Sequence, residues 1–460
     1  MSEHLTTGFV ADAMRRRGYG VHIGPDVPIT GGAADSRLVA PGDLFTAFAG
    51  EHADGNRFVG EAFAAGAVAA ICERMPEATC PGRTLIVAPD ATKALGELAH
   101  DWRRECSAQV VGITGTVGKT TAKDMIAAAL ATKFRTHKSS GNFNSREGLP
   151  LALMSLRRDH EVSVLEMGMD SAGEIAYLCE IAEPSVGVVL NIGLTHVSKL
   201  GSVEAIAREK LSLARSLPAD GTAVLNLDDE RIAAAIGSLN CRLITFGRAG
   251  GRSATVTYGN LRSAGFDGVR FSVSVGGRTF ACHSSIPGTH TAPAAIVAIG
   301  VGMALGMQPG EATDAVDRAS VLGRARVITL ANGATVIDDR YNSSPESLAG
   351  ALRMLAELPP RRIALLGRMA ELGEFEESEH RRAGAIAGAS CDLLLAVGPA
   401  GAVLAEAARE SGSAAVQWFA TKEAAAEALA NELTAGDTVL IKASRGEAFE
   451  TILPILGVPA

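Results

Sequence analysis

Residues 110–121 read Val-Val-Gly-Ile-Thr-Gly-Thr-Val-Gly-Lys-Thr-Thr. An apolar run of strand character feeds a glycine-rich turn ending in Gly118, Lys119, Thr120 and Thr121, and a helix-forming segment follows. Such a junction turns successive backbone N–H groups toward one point at a helix N-terminus, which makes an anion site. Lys119 adds a point charge for β- and γ-phosphates, and Thr120 a hydroxyl for Mg²⁺. The eight-residue phosphate-loop pattern is not met, because Ile113 stands where its first glycine belongs. What remains is the tighter Gly115-Thr116-Val117-Gly118-Lys119-Thr120. A ligand-free strand–helix turn is the plainer alternative. The ordered run of strand, loop, Lys-Thr-Thr and helix predicts a nucleoside-triphosphate site instead.

A chain of 460 residues is too long for one ordinary core. Three units are legible: 1–106, 107–320 and 321–460. The first carries Ser36-Arg37, the turn Pro41-Gly42-Asp43 and short apolar runs at 68–72 and 84–88. From Gln109 onward apolar runs alternate with helix-forming stretches, the mark of a mostly parallel sheet. Strands are expected at 162–165, 186–190, 223–225 and 243–246, and an antiparallel hairpin around Gly276-Gly277. The third unit begins near Gly323, with strands expected at 335–337, 363–366, 393–397, 416–419 and 439–441 between Ala-rich helices. The expected fold class is three-domain α/β.

The net charge of −8 argues against nucleic acid as the main partner. The seven cysteines are scattered, without a disulfide or zinc spacing, which fits reduced thiols in the cytoplasm. No basic-then-apolar leader opens the chain, and the longest apolar run, 292–307, is too short to span a bilayer. The expectation is a cytoplasmic protein with no membrane partner.

In open α/β sheets ligands sit beyond the carboxyl ends of the strands. Glu166 ends one expected strand, Asn191 the next, with Gly193 and His196 behind it, and Asn226 and Asp228 end a third. Glu166 there suits Mg²⁺ held against phosphates. A single residue of this kind is usually a cap, but three successive strands end this way. Lys210 lies on an expected helix and reads by itself as a solvated lysine. In the third unit, Asp338-Asp339-Arg340-Tyr341-Asn342-Ser343-Ser344-Pro345 is a structured loop that either reaches a nucleotide or only caps a helix. Arg445, after Lys442-Ala443-Ser444, suits a carboxylate or phosphate.

Together these motifs resemble the Mur ligase family, the ATP-dependent amide-bond ligases of peptidoglycan precursor synthesis, over nearly the whole chain. The loop Asp339-Arg340-Tyr341-Asn342-Ser343-Ser344-Pro345 is similar to that of the branch that adds D-alanyl-D-alanine, and the Asp-Asn-Pro-Arg motif of many diaminopimelate-adding members is absent. The resemblance implies a UDP-sugar-binding first domain with Ser36 and Arg37, a central ATPase-like domain and a C-terminal Rossmann-like domain. It implies ATP contacts from Gly115, Thr116, Gly118, Lys119, Thr120, Thr121, Asn226, Asp228, His290, Arg324 and Asp339. Thr120, Glu166, His196 and Lys210 would serve two Mg²⁺ ions, with Lys119, Glu166, His196 and Lys210 catalytic and Lys210 carbamylated. Asn142, Asn144, Tyr341, Asn342 and Arg445 would face the substrates, UDP-N-acetylmuramoyl-tripeptide and D-alanyl-D-alanine, in a monomeric enzyme. The family's His-Asn-x-x-Asn segment reads His290-Thr291-Ala292-Pro293-Ala294, without either asparagine. Ser198, Arg368 and Ser344 also depart from the branch pattern. Two rival readings are a same-fold ligase with another acceptor and a nucleotide-binding regulatory protein without ligase activity.

Overall fold

The computed structural model describes residues 3–50, 54–76, 82–319, 321, 325–412 and 415–458. They form three sheets flanked by helices. The five-stranded first sheet runs Gly20–His22, Thr84–Val87, Ala69–Cys72, Asp43–Thr46, Gly31–Ala33, parallel except for its Gly20–His22 edge.

The nine-stranded central sheet carries Gln109–Thr114 between Val162–Glu166 and Val186–Val189. Beyond Val186–Val189 lie Thr222–Asn226, Arg242–Arg248 and Val256–Ser263, all parallel. A parallel sheet covered on both faces needs unbroken apolar strands, and every residue of Gln109–Thr114 but the first is buried. Helix Ala292–Ala304 packs close to it, since a Cβ at Gly300 would stand 2.9 Å from Val224. Among the described residues no helix is long and apolar enough to cross a membrane. The six-stranded third sheet runs Arg326–Thr329, Thr335–Asp338, Thr438–Lys442, Arg362–Leu366, Leu393–Val397, Ala415–Phe419, with only the first strand antiparallel.

The expected hairpin exists as Val269–Val275 and Arg278–Ser284, but it is two-thirds of an antiparallel extension that Val256–Ser263 begins. That strand and the edges Gly20–His22, Gly31–Ala33, Thr136–Lys138 and Arg326–Thr329 escape a search for apolar runs. An edge strand buries little, and its residues are mostly half-buried or exposed.

The first unit is fastened to the second through the long helix Ala91–Glu105. Trp102, 1% exposed, donates its indole N–H to the Leu156 carbonyl at 2.9 Å. Its ring meets Phe9 edge-on at 5.3 Å, and the Arg158 guanidinium lies 5.1 Å from it. Trp102→Ala is expected to cost about 3–5 kcal/mol, from lost burial and the cavity left behind. Thermal unfolding would show the earliest transition moved down by several degrees.

Candidate active site

Strands Gln109–Thr114, Val162–Glu166 and Val186–Val189 deliver their carboxyl ends to one cleft. Gly118, at φ 82°, starts helix Lys119–Leu130 and gives it no side-chain cap. An external anion is the natural cap for such a start. Asn191 clamps the loop: its Oδ1 accepts from the Val117 N–H at 2.9 Å and its Nδ2 donates to the Val117 carbonyl at 3.0 Å. Thr116 Oγ1 accepts the Gly193 N–H at 2.7 Å. Gly115 must be glycine, because a Cβ would stand 2.9 Å from Leu190.

Two lysine side chains converge on the Gly115 carbonyl, Lys119 Nζ at 2.8 Å and Lys210 Nζ at 3.1 Å. Lys210 is 1% exposed on helix Val203–Arg215. Burial, and then the charge of Lys119, push its amine well below the ordinary lysine range. Thr120 Oγ1 lies 2.5 Å from Glu166, whose other oxygen accepts from Asn144 Nδ2 at 2.8 Å.

A cavity of about 410 Å³ extends from this loop past His290, Pro293 and Ala294 to Asp339, Ser344, Glu346 and Lys442 of the third unit. Lys442, 2% exposed, donates to Asp339 Oδ2 at 2.6 Å and to the Asn342 carbonyl at 2.8 Å. His290 packs under helix Pro345–Ala356, where a Cβ at Gly350 would fall 2.7 Å from its ring. Burial lowers its pKa to about 4, so the imidazole is neutral near pH 7.

A second cavity of about 310 Å³ shares Lys119, Glu166, Thr195, Asn342 and Ser343 with the first. Asn142, Asn144, His196 and Lys210 line it from the central unit, and Tyr341, Asn342, Glu371 and Arg445 from the third. His196 Nδ1 lies 2.8 Å from Glu371 and 3.4 Å from Asp170. The three groups offer ligand atoms within 4.8 Å of one another, a possible cation site. His196 and Lys199 hold the Glu371 carboxyl below its ordinary value. His196 (φ 67°) and Glu371 (φ 65°) both occupy the left-handed region, which costs non-glycine residues roughly 1–3 kcal/mol and clusters at functional sites.

The predicted residues do not all meet. Thr116, Gly118, Lys119, Thr120, Thr121, Glu166, His290 and Asp339 line the first cavity. Among the four residues expected to hold metal, Thr120 and Glu166 touch, whereas His196 turns to Glu371 and Asp170 and Lys210 to the Gly115 carbonyl. Asn226 and Asp228 line neither cavity. Asn226 donates to the Leu190 carbonyl, and Asp228 accepts from the Arg248 N–H and the Tyr258 hydroxyl. Their neighbour Asp229 also lines neither cavity, but it accepts the N–H of the cavity-lining Ile192 at 2.7 Å. Ser36 donates to Glu61, and Arg37, 85% exposed, pairs with Asp35, both away from the two cavities. Arg324 lies outside the described residues. Sequence reasoning missed Asp170, Glu346 and Glu371, acidic residues without a strand-end signal. Lys442 was visible only as part of a motif.

Comparison with known proteins bears on this geometry. Three domain families match in order: the Mur ligase family catalytic domain over 28–103, the Mur ligase middle domain over 113–302, and the Mur ligase glutamate ligase domain over 323–445. The chain belongs to the Mur ligase family. As a Mur ligase it is 34% identical to the UDP-N-acetylmuramoyl-tripeptide–D-alanyl-D-alanine ligase of Bacillus subtilis, over 92% of each chain. It superposes on MurF of Acinetobacter baumannii with a TM-score of 0.83, at 28% identity over 99% of each chain. For MurF of Thermotoga maritima in complex with ADP the TM-score is 0.78, at 27% identity over 93% of this chain and 96% of that one.

Within the Mur ligases, the departures here have visible consequences. Ser344 caps helix Pro345–Ala356, accepting the Ser347 N–H. Arg368 pairs bidentately with Glu376 at 2.7 and 2.8 Å. Thr291 spends its hydroxyl on the Ile286 and Gly288 carbonyls, while Pro293 and Ala294 present no polar side chain to the cavity. With two amide readers lost, discrimination between ATP and other purine triphosphates is expected to weaken, since strong rejection requires paired polar groups. Competition of GTP against ATP in a turnover assay checks this. A very large preference for ATP would assign base reading to other groups.

Proposed function

We infer that this protein is an ATP-dependent ligase that joins D-alanyl-D-alanine to UDP-N-acetylmuramoyl-tripeptide through an acyl phosphate, in peptidoglycan precursor synthesis. The observation that carries the reading is the meeting of the Gly115–Thr121 loop and Glu166 with Asp339, Asn342 and Lys442 around one cavity, in a chain that matches the Bacillus ligase over 92% of its length. On this reading residues 1–106 bind the UDP-sugar, 107–320 bind ATP, and 321–460 close the site over the nucleotide. The enzyme works as a cytoplasmic monomer without nucleic-acid or membrane partners.

The carboxylate of the tripeptide attacks the γ-phosphorus of ATP and ADP leaves; the amine of the dipeptide then attacks the acyl carbon, losing a proton as phosphate departs, to give the amide. An anion attacking a polyanion faces repulsion. Lys119 and the amides that open helix Lys119–Leu130 offset it where charge develops. The oxygens of Thr120 and Glu166, 2.5 Å apart, suit Mg²⁺, and Asp170, His196 and Glu371 suit a second ion. Bound there, Mg²⁺ would neutralise phosphate charge. Asn144 orients Glu166, and Asn191 holds the loop in register. Burial lowers the pKa of Lys210 and so favours the neutral amine, the form that adds CO₂ to give a carbamate and a proton. Closure of the third unit onto the nucleotide would exclude water from the acyl phosphate.

With Mg²⁺ and ATP, purified protein is expected to release phosphate only when tripeptide donor and D-alanyl-D-alanine are both present, and mass spectrometry should find the pentapeptide. Turnover of a muramoyl-dipeptide with a free diamino acid instead would move the assignment to a different acceptor. Nucleotide binding without turnover on any pair would favour the regulatory reading.

Lys210→Ala is expected to lose activity by on the order of 10²–10³, comparable to losing one preorganised stabilising group. Short-chain carboxylates should restore part of it, and CO₂ depletion should slow the wild type. A fully active Lys210→Ala protein would exclude the carbamate.

A further inference from the structure

Among the described residues four hydroxyl groups are buried without a hydrogen-bond partner: Thr46, Thr114, Thr195 and Ser343. Orphans of this kind are costly and rare in native proteins, and each calls for an explanation. Thr46 and Thr114 line neither cavity. Thr195, 8% exposed, and Ser343, 3% exposed, line both. Thr195 belongs to the central unit and Ser343 to the third. The other described residues common to the two cavities are Lys119, Glu166 and Asn342. The two hydroxyls therefore come from different units to the one place where the cavities meet.

The backbone that carries each of them is fixed, and the hydroxyl is what remains free. On the central side Thr116 Oγ1 of the phosphate loop accepts the Gly193 N–H at 2.7 Å, and a Cβ at Gly193 would stand 2.6 Å from Glu346 of the third unit. The Val197 N–H donates to the Leu194 carbonyl at 3.0 Å, which closes a turn over Thr195 and His196. On the other side the Ser343 N–H donates to Asn342 Oδ1 at 2.9 Å, and the Ser343 carbonyl accepts from Ser444 Oγ at 3.2 Å. Lys442 holds the Asn342 carbonyl at 2.8 Å. A hydroxyl on such a backbone is aimed by one torsion, χ1, and has one hydrogen to donate.

We propose that Thr195 and Ser343 hold the phosphoryl group in transfer, each donating a hydrogen bond to one of its oxygens, one from each unit. The identity of that group rests on the ligase reading above. The nucleotide phosphates lie at the loop of the first cavity and the peptide carboxylate comes from the second, so the group that passes between them crosses the junction. A phosphoryl oxygen is the strong acceptor that both orphans lack, and Lys119 at the same junction supplies charge. Donors held in place act most strongly where charge develops. The arrangement also ties the central unit to the third while the phosphoryl group is present. ADP, without that group, gains nothing from either hydroxyl.

The experiment compares Thr195→Val, Thr195→Ser and Ser343→Ala with wild type in thermal unfolding of the ligand-free protein, in affinity for ADP and for the β,γ-imido analogue of ATP with Mg²⁺, and in kcat. Removing an orphan hydroxyl removes no native bond, so Thr195→Val and Ser343→Ala should unfold at the wild-type temperature or above it. Their affinity for ADP should stay unchanged, while kcat and the affinity for the triphosphate analogue fall roughly 10–100-fold, the range for a hydrogen bond to a charged group. Thr195→Ser, which keeps the hydroxyl, should recover most of the loss. The proposal is overturned if either hydroxyl-free variant binds the analogue as wild type does, or loses affinity for ADP and analogue alike. It is overturned equally if those variants unfold at lower temperature, which would give the hydroxyls a structural role. Wild type that turns over no donor with acceptor would overturn the ligase reading, and the comparison of analogue with ADP would still decide whether the two hydroxyls hold the γ-phosphoryl group.

Discussion

Two lysine side chains share the carbonyl oxygen of Gly115, and most of the site follows from that arrangement. Burial, and then the charge of Lys119, push the pKa of Lys210 well below the ordinary lysine range. The position is stable only if the backbone supplies an acceptor that cannot move. The central sheet supplies it, because Gly115 follows a strand buried almost along its whole length. The neighbouring strands then place Glu166 against Thr120 and Asn191 against Val117. A polyanion arriving at this point meets a cation and helix amides already oriented, with little reorganisation left to do.

The third unit contributes the same kind of rigidity from the other side. Lys442 is almost fully buried, and an ammonium there must be paired. It takes Asp339 and the Asn342 carbonyl, which fixes the loop facing the nucleotide cavity. His290 of the central unit is buried beneath a helix of the third, so the two units are packed against each other where the nucleotide cavity closes. Glu371 crosses the same boundary to His196, at the cost of two left-handed backbones. Strain of that size persists only where surrounding contacts over-determine it. Here they do: His380 accepts the Met369 N–H at 2.9 Å, and Ser444 accepts that of Ala370.

What the sequence displays follows from what burial demands. Strands covered on both faces must be apolar throughout, so Gln109–Thr114, Val162–Glu166 and Leu393–Val397 are readable as runs. Edge strands such as Thr136–Lys138 and Arg326–Thr329 have no such obligation and leave no pattern. Residues that act where a strand stops, Glu166 and Asn191, are legible for the same reason. Strand-end position alone misleads over Asp228, which accepts the Arg248 N–H and the Tyr258 hydroxyl, while its neighbour Asp229 holds the backbone of the cavity-lining Ile192. Asp170, Glu346 and Glu371 meet the cleft only through the packing of separate segments, and no local pattern encodes that meeting. Lys210 looks like a surface lysine because helix periodicity shows which face is buried only when that face is apolar.

The departures from the family pattern divide by whether a local partner can replace the lost group. Ser344 retains a helix-capping oxygen, which a serine supplies as well as an asparagine. Arg368 stands where an aspartate is usual, yet its loop keeps its backbone bonds: the Arg368 carbonyl accepts the Ser444 N–H at 2.9 Å whatever the side chain. The side chain then finds Glu376 on the following helix. Both changes preserve position. The segment after His290 is different in kind, because side chains that read a base edge act through their own polar atoms, and neither a threonine spent on two carbonyls nor an alanine can stand in for them. At that end of the cavity the lining offers Pro293 and Ala294, whereas the end at the Thr116–Thr121 loop keeps Lys119 and Glu166.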